Sequence, residues 1–153
     1  MNDIDFMEIA LAEAQKSAEA GEIPVGAVIV YKGDIIAVGH NKTIGWCDAT
    51  AHAEIVAIRD AGRVLRDWHL NGATLYVTME PCPMCCGAIL NSNIKRVVFG
   101  CHDNELGAVE SRFNLLTYPC LKRDIEVVGG ILEGQCSQLI SDFFKTCVRK
   151  KNS

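Results

Sequence analysis

The sequence predicts an α/β fold: three layers, α/β/α, with a mixed sheet of about five strands. Two observations carry this. Short β-rich runs alternate with segments of helical periodicity along the chain, which places helices on both faces of a sheet. Two of the early runs are joined by a tight turn, so the sheet holds an antiparallel hairpin and is not purely parallel. The chain has 153 residues, the size of one domain, and we expect residues 1–153 to form a single one.

Residues 3–20 read as an amphipathic helix, with Phe6, Met7, Ala10, Leu11, Ala14 and Ala18 at helical spacing and Gly21 at its stop. The apolar runs 25–30 and 35–38 flank Lys32-Gly33-Asp34, which is turn chemistry. Residues 41–48 read as a loop. A helix is expected from Thr50, as N-cap, to Leu65, with Ile55, Ile58 and Ala61 facing inward. Thr74–Met79 is a third strand. Cys82–Leu90 is a short helix that tolerates Pro83 in its first turn. Lys95–Phe99 and Ile125–Val128 are the fourth and fifth strands. The last helix is expected over Glu133–Arg149, where Leu132, Cys136, Leu139, Ile140, Phe143, Phe144 and Cys147 make one apolar stripe.

Composition narrows the function classes. Hydrophobic residues make up 49% of the chain and charged residues 22%, which is globular and not disordered. No apolar run approaches the ~18 residues of a membrane span. The acidic start, Met1 to Asp5, does not read as a secretory signal, so the reducing cytoplasm is the expected compartment. Eight cysteines in such a chain point to metal or catalysis more than to disulfides. The net charge of −4 argues against a general nucleic-acid binder. The charge is uneven, however: residues 1–60 carry −6 and residues 61–153 carry +2. A local basic patch involving Lys122, Arg123, Lys145, Arg149, Lys150 and Lys151 would suit phosphates; the same cations at a helix end also suit its dipole.

Two short stretches carry chemistry: His52-Ala53-Glu54 and Pro81-Cys82-Pro83-Met84-Cys85. A Cys-x-x-Cys at a helix start brings two thiolates to one ion, and His52 adds an imidazole nitrogen. Three protein ligands with an open position is the arrangement of catalytic zinc. Glu54 lies two residues past His52, placed to sit beside the metal without ligating it and to move protons. A lone Cys-x-x-Cys also fits a redox pair or half of a structural zinc site, and a lone His-x-Glu fits an ordinary helix start. The conjunction, each part opening a helix, is the signature of zinc deaminases.

The resemblance extends beyond the zinc motif. Pro24 to Val28, His40-Asn41, Thr50 to Glu54, Gly72 to Ala88 (GATLYVTMEPCPMCCGA), Arg96 to Gly100, Gly130-Ile131-Leu132 and Asp142-Phe143-Phe144 together resemble the bacterial tRNA-specific adenosine deaminases, within the cytidine-deaminase-like superfamily. The resemblance implies a cytidine-deaminase-like fold and one Zn2+ per chain, held by His52, Cys82 and Cys85. Glu54 is implied as the catalytic proton carrier. Asn41 and the backbone of Ala53 are implied to contact the flipped base, and Asp103 the ribose. The implied reaction is attack at adenine C6 at the wobble position of a tRNA anticodon stem-loop, releasing ammonia and leaving inosine. A homodimer is implied too. The chain departs from the family pattern at Glu105, where a Lys is usual, at Glu110-Ser111, where Gly-Ser is usual, and at Lys122-Arg123-Asp124, where an Asn-His pair is usual.

Other candidates receive plainer readings. Cys47, Cys101, Cys120, Cys136 and Cys147 read as free thiols, Cys86 as pointing away from the metal, and His69 and His102 as surface or loop residues. Trp46 reads as a packing or loop-anchoring residue, with stacking on a nucleobase as the alternative. Two other functions fit the same motifs. One is deamination of free bases or nucleosides such as guanine or cytosine, which the acidic pI suits. The other is a catalytically silent zinc module, which the presence of Glu54 argues against.

Overall fold

The computed structural model describes residues 1–121 and 123–151, the side chains of Cys120 and residues 148–151 excepted. The basic positions 122 and 149–151 singled out above therefore lie outside the described residues or side chains.

Five strands form one sheet: β1 (Gly26–Tyr31), β2 (Asp34–His40), β3 (Thr74–Met79), β4 (Arg96–Cys101) and β5 (Glu126–Val128). The helices are α1 (Asp3–Glu19), α2 (Ala53–Leu65), α3 (Pro83–Asn91) and α4 (Glu133–Lys151), with a short 3-10 turn at Pro119–Leu121. The strand order is β2-β1-β3-β4-β5. β1 runs antiparallel to both β2 and β3, whereas β3, β4 and β5 are parallel. The sheet is mixed, as the hairpin predicts, and the antiparallel β1–β3 pairing adds to it.

Each face of the sheet buries its own core. On one side α2 and α3 cover a cluster that includes Ile29, Leu75, Val77, Val97 and Phe99. On the other, α1 and the start of α4 cover Val28, Tyr76 and Val98. Alternate strand residues thus feed opposite clusters, which is the period-2 rule of a sheet buried on both faces.

Three expectations change in the helices. α2 begins at Ala53 with His52 as N-cap, three residues after Thr50. The Thr50 amide and hydroxyl both bond to the Asp48 carboxylate, at 2.8 and 2.7 Å. Its hydroxyl is therefore spent on a turn and does not cap the helix. The buried inward face of α2 is Ala53, Val56, Ala57 and Ala61; Ile58 packs against the same core at its edge, whereas Ile55 is half-exposed and outside it. Small residues face the sheet because α2 lies close against β2: a Cβ on Gly39 would stand 2.6 Å from the Ala53 carbonyl oxygen. In α4 only Cys136 of the apolar stripe is buried; Leu139, Ile140, Phe143 and Cys147 are half-exposed and Phe144 is exposed. The helix packs by its beginning, where Cys136 meets Gly100.

Candidate metal centre and active site

Two helix N-termini define the site. His52 caps α2 with extended backbone (φ −69°, ψ 156°), and Cys82 caps α3 in the same way (φ −77°, ψ 172°). Pro83 at the first position of α3 gives up an N–H that has no intrahelical partner there. Both caps lie on the side of the sheet that α2 and α3 cover, and Cys85 follows one turn into α3.

Among the described residues, one group of three metal-ligating side chains brings its donor atoms within 4.8 Å of one another: His52, Cys82 and Cys85. The Cys82 and Cys85 sulfurs lie 3.6 and 3.5 Å from His52 Nδ1. Zn–S bonds of ~2.3 Å and a Zn–N bond of ~2.0–2.1 Å at tetrahedral angles require S···N separations of about 3.6 Å. The donor set and its spacing therefore fit zinc with three protein ligands.

The electrostatics favour one thiolate beside a protonated thiol. The Cys82 thiol is lowered to about 4, chiefly by its bond from Cys85 and also by that from His52, while Cys85 is raised by the same Cys82 bond and by burial. His52 is raised, first by its bond to Cys82. Cys86 is buried and turned away, its sulfur reaching the Pro81 carbonyl oxygen at 3.9 Å.

Glu54 is only 4% exposed. Burial raises its carboxyl to about 7, and the nearby His52 opposes that rise. A carboxyl whose affinity for protons lies near neutrality can both take and give one.

A cleft of about 780 Å³ opens onto these groups; Asn41, His52, Ala53, Glu54, Cys82 and Asp103 all line it. The structure thus brings every site residue named from the sequence to one cavity, except Cys85, which lies beneath it as a buried ligand candidate. Asn41 is engaged by its own turn: its side-chain oxygen accepts from the Thr43 amide at 3.2 Å, and its Nδ2 donates to the Ile23 carbonyl at 3.4 Å. The Asp103 carboxylate accepts from the amides of Glu105 and Leu106 at 3.0 and 3.3 Å. Trp46 is 47% exposed, with the Lys42 ammonium 5.0 Å from its ring. It is not a packing residue.

Two buried carboxylates escaped the sequence reading: Glu80, which lines the cleft, and Glu22, which precedes the cleft-lining Ile23. Glu22 accepts from the Ile44 amide at 2.7 Å and from the Gly45 amide at 3.4 Å. Glu80 accepts from the segment 103–111; bonds from the Ser111 hydroxyl and the amides of Glu110, Ser111 and Asp103 outweigh its burial and hold it down at about 2. Their partners are 22 to 31 residues away in sequence, so no local pattern marks them. Glu80 lies within the Gly72–Ala88 stretch, where adjacency to Pro81-Cys82 is its only local mark.

The family model of the cytidine and deoxycytidylate deaminase zinc-binding region matches residues 1–101. A tRNA-specific adenosine deaminase of Bacillus subtilis is 44% identical over 97% of this chain and 92% of its own length. The chain belongs to the tRNA-specific adenosine deaminase family. It is a zinc-dependent hydrolase of that family, and zinc is its cofactor. A solved structure from a study of A-to-I editing by tRNA:A34 deaminases at the wobble position superimposes with a TM-score of 0.85. It is 42% identical and covers 88% of this chain and 98% of the other. A guanine deaminase from Bacillus subtilis is 39% identical, covering 82% of this chain and 83% of its own, but superimposes less closely, with a TM-score of 0.65. No helix of this tRNA-specific adenosine deaminase family member is long and apolar enough to cross a membrane among the described residues.

Proposed function

We propose that the chain converts adenosine to inosine at the wobble position of tRNA anticodon loops, as one zinc-dependent deaminase domain spanning residues 1–153. The observation that carries this reading is the convergence of His52, Cys82 and Cys85 beside the buried Glu54 in one open cleft. The tRNA-specific names of the similar proteins, and the closer superposition on the tRNA:A34 deaminase than on the guanine deaminase, support the substrate.

In this reading His52, Cys82 and Cys85 hold the zinc. When bound, zinc supplies a Lewis-acid centre that activates water at neutral pH. Glu54 accepts the proton of the attacking water and passes it to the purine ring; a second transfer to the exocyclic amine lets ammonia leave from C6. Asn41 and the Ala53 backbone N–H, at the start of α2 where amides lack intrahelical partners, meet the flipped base. Asp103 meets the ribose. Self-association into a homodimer through α2 and α3 is supported by Val64 and Met84, apolar residues of these helices that are exposed at 59% and 37%.

The test is a panel assay of the zinc-loaded protein. An adenosine-containing anticodon stem-loop, free guanine and free cytosine are each incubated, and inosine, xanthine, uracil and ammonia are measured. Inosine in the stem-loop with no xanthine or uracil is expected. Efficient conversion of free guanine or cytosine, with no inosine in any stem-loop, would replace this reading by a free-base deaminase. Sedimentation at micromolar protein tests the pairing; a mass near 16.7 kDa would refute it.

A further inference from the structure

Glu80 has no part in the chemistry above, yet it is 3% exposed. It follows β3 and directly precedes Pro81-Cys82. Its Oε2 accepts N–H bonds from Val109, Glu110 and Ser111 at 3.1, 2.8 and 2.9 Å. Its Oε1 accepts from the Asp103 amide at 3.1 Å and from the Ser111 hydroxyl at 2.5 Å. Every donor belongs to the segment 103–111, which follows β4 and contains neither helix nor strand.

The backbone wraps this carboxylate closely. A Cβ on Gly107 would stand 2.5 Å from Glu80 Cδ and 2.4 Å from the Asp103 carbonyl oxygen, so only glycine fits there. The first part of the segment then lines the cleft through Asp103, Asn104, Glu105 and Leu106. One buried side chain thus fixes both ends of this segment, the Asp103 amide at the cleft and the 109–111 amides behind it, while the Asp103 carboxylate it anchors accepts from the Glu105 and Leu106 amides between them.

We infer that Glu80 is a positioning residue for the substrate: its carboxylate folds residues 103–111 into the wall that receives the ribose-phosphate backbone around the target base. The inference rests on the RNA reading above. A carboxylate is needed because two acceptor oxygens face five donors. Glutamine offers one oxygen and an NH2 group. With its oxygen kept toward the three amides of 109–111, the NH2 faces the Asp103 N–H, and Ser111 can turn to accept. The lost bond therefore falls on Asp103.

The experiment compares the zinc-loaded parent, Glu80→Gln and Ser111→Ala in three readouts: zinc per chain, amide hydrogen exchange across 103–111, and steady-state deamination of an anticodon stem-loop. Glu80→Gln should keep its zinc, exchange faster across 103–111, and raise KM about tenfold while kcat stays within about threefold, the scale of one lost charge-assisted bond. Ser111→Ala should move in the same direction by less. Unchanged exchange and KM in zinc-loaded Glu80→Gln, with only a lower Tm, would reduce Glu80 to a structural residue; a fall in kcat at constant KM would also overturn the inference. Should Glu80→Gln not fold, Ser111→Ala decides by the same readouts. A parent that leaves the stem-loop unmodified refutes the RNA reading and this inference with it, whereas an active parent with unmoved variants refutes this inference alone.

Discussion

The Arg96 guanidinium grips the Asp3 carboxylate with two bonds, Nη1 to Oδ1 at 2.8 Å and Nη2 to Oδ2 at 2.7 Å. This ties β4 to the first turn of α1 across 93 residues of sequence. The Tyr76 hydroxyl donates to the same carboxylate at 2.8 Å. The bond to Arg96 lowers the Asp3 carboxyl below 3.8, against a smaller opposing effect of burial. Both side chains are less than a third exposed, so the pair is partly shielded from water.

Asp3→Asn should therefore destabilise the fold by about 1–2 kcal/mol at neutral pH, by removing a charge-assisted pair that holds a helix to the sheet. The sign with pH follows from the lowered folded value. The contribution is present above the unfolded carboxyl's pKa and is lost as pH falls through the folded one. Urea unfolding of parent and variant should differ at neutral pH and converge in the acid range. An equal gap at both ends would remove Asp3 as the titrating group.

Such long-range ties mark the limit of what was legible in the sequence. The metal donors were legible because zinc demands particular side chains at helix starts, and spacing alone displays them. The strands were legible as β-rich runs between turns. The start and facing of α2 were not. Thr50 has the right chemistry for a cap, but Asp48 takes its hydroxyl, and the helix turns mostly alanines to the sheet where its backbone comes close to Gly39 of β2. Glu22 and Glu80 were illegible for the same reason as the Asp3–Arg96 pair: each acts on backbone brought near only by the finished fold.

Cys82→Ala and Cys85→Ala should each lose zinc and lower the yield of folded protein, since binding energy at such a site is also folding energy. Metal analysis of the purified variants is the check. Full zinc occupancy in both would mean that another donor set holds the metal. Cys86→Ala, one residue on, should keep its zinc.

His102 links the cleft loop to α4: its Nδ1 lies 2.6 Å from Glu133 and its Nε2 lies 3.0 Å from Glu110. These two carboxylates raise its pKa above 6.5, Glu133 first. The stabilisation is thus fully present below the unfolded value and lost as pH rises through the higher folded one. The site is partly exposed, so the effect stays below about 1 kcal/mol. The urea midpoint of the parent, measured relative to His102→Gln, should be higher at about pH 6 and equal at about pH 9. A gap that widens with pH would contradict the pairing. Glu110→Gly should abolish the smaller share of the effect and leave the backbone bond from residue 110 to Glu80 in place.

The Glu54 prediction separates proton transfer from metal binding. Glu54 is buried in the first turn of α2, two residues from His52, and is outside the group of converging metal donors. Glu54→Gln keeps the shape of the side chain and removes its ability to accept a proton. The variant should keep one zinc per chain and its Tm within a few degrees of the parent, because a neutral amide no longer carries the cost of a buried charge. It should still bind an anticodon stem-loop with near-parental affinity. Single-turnover formation of inosine at saturating protein should fall by about 10²–10⁴-fold, the range for a general acid–base group. Its role in both addition of water and departure of ammonia places the expectation at the upper end. Turnover within tenfold of the parent, with zinc retained, would move the proton transfers to another group, and loss of zinc would place Glu54 among the ligands instead.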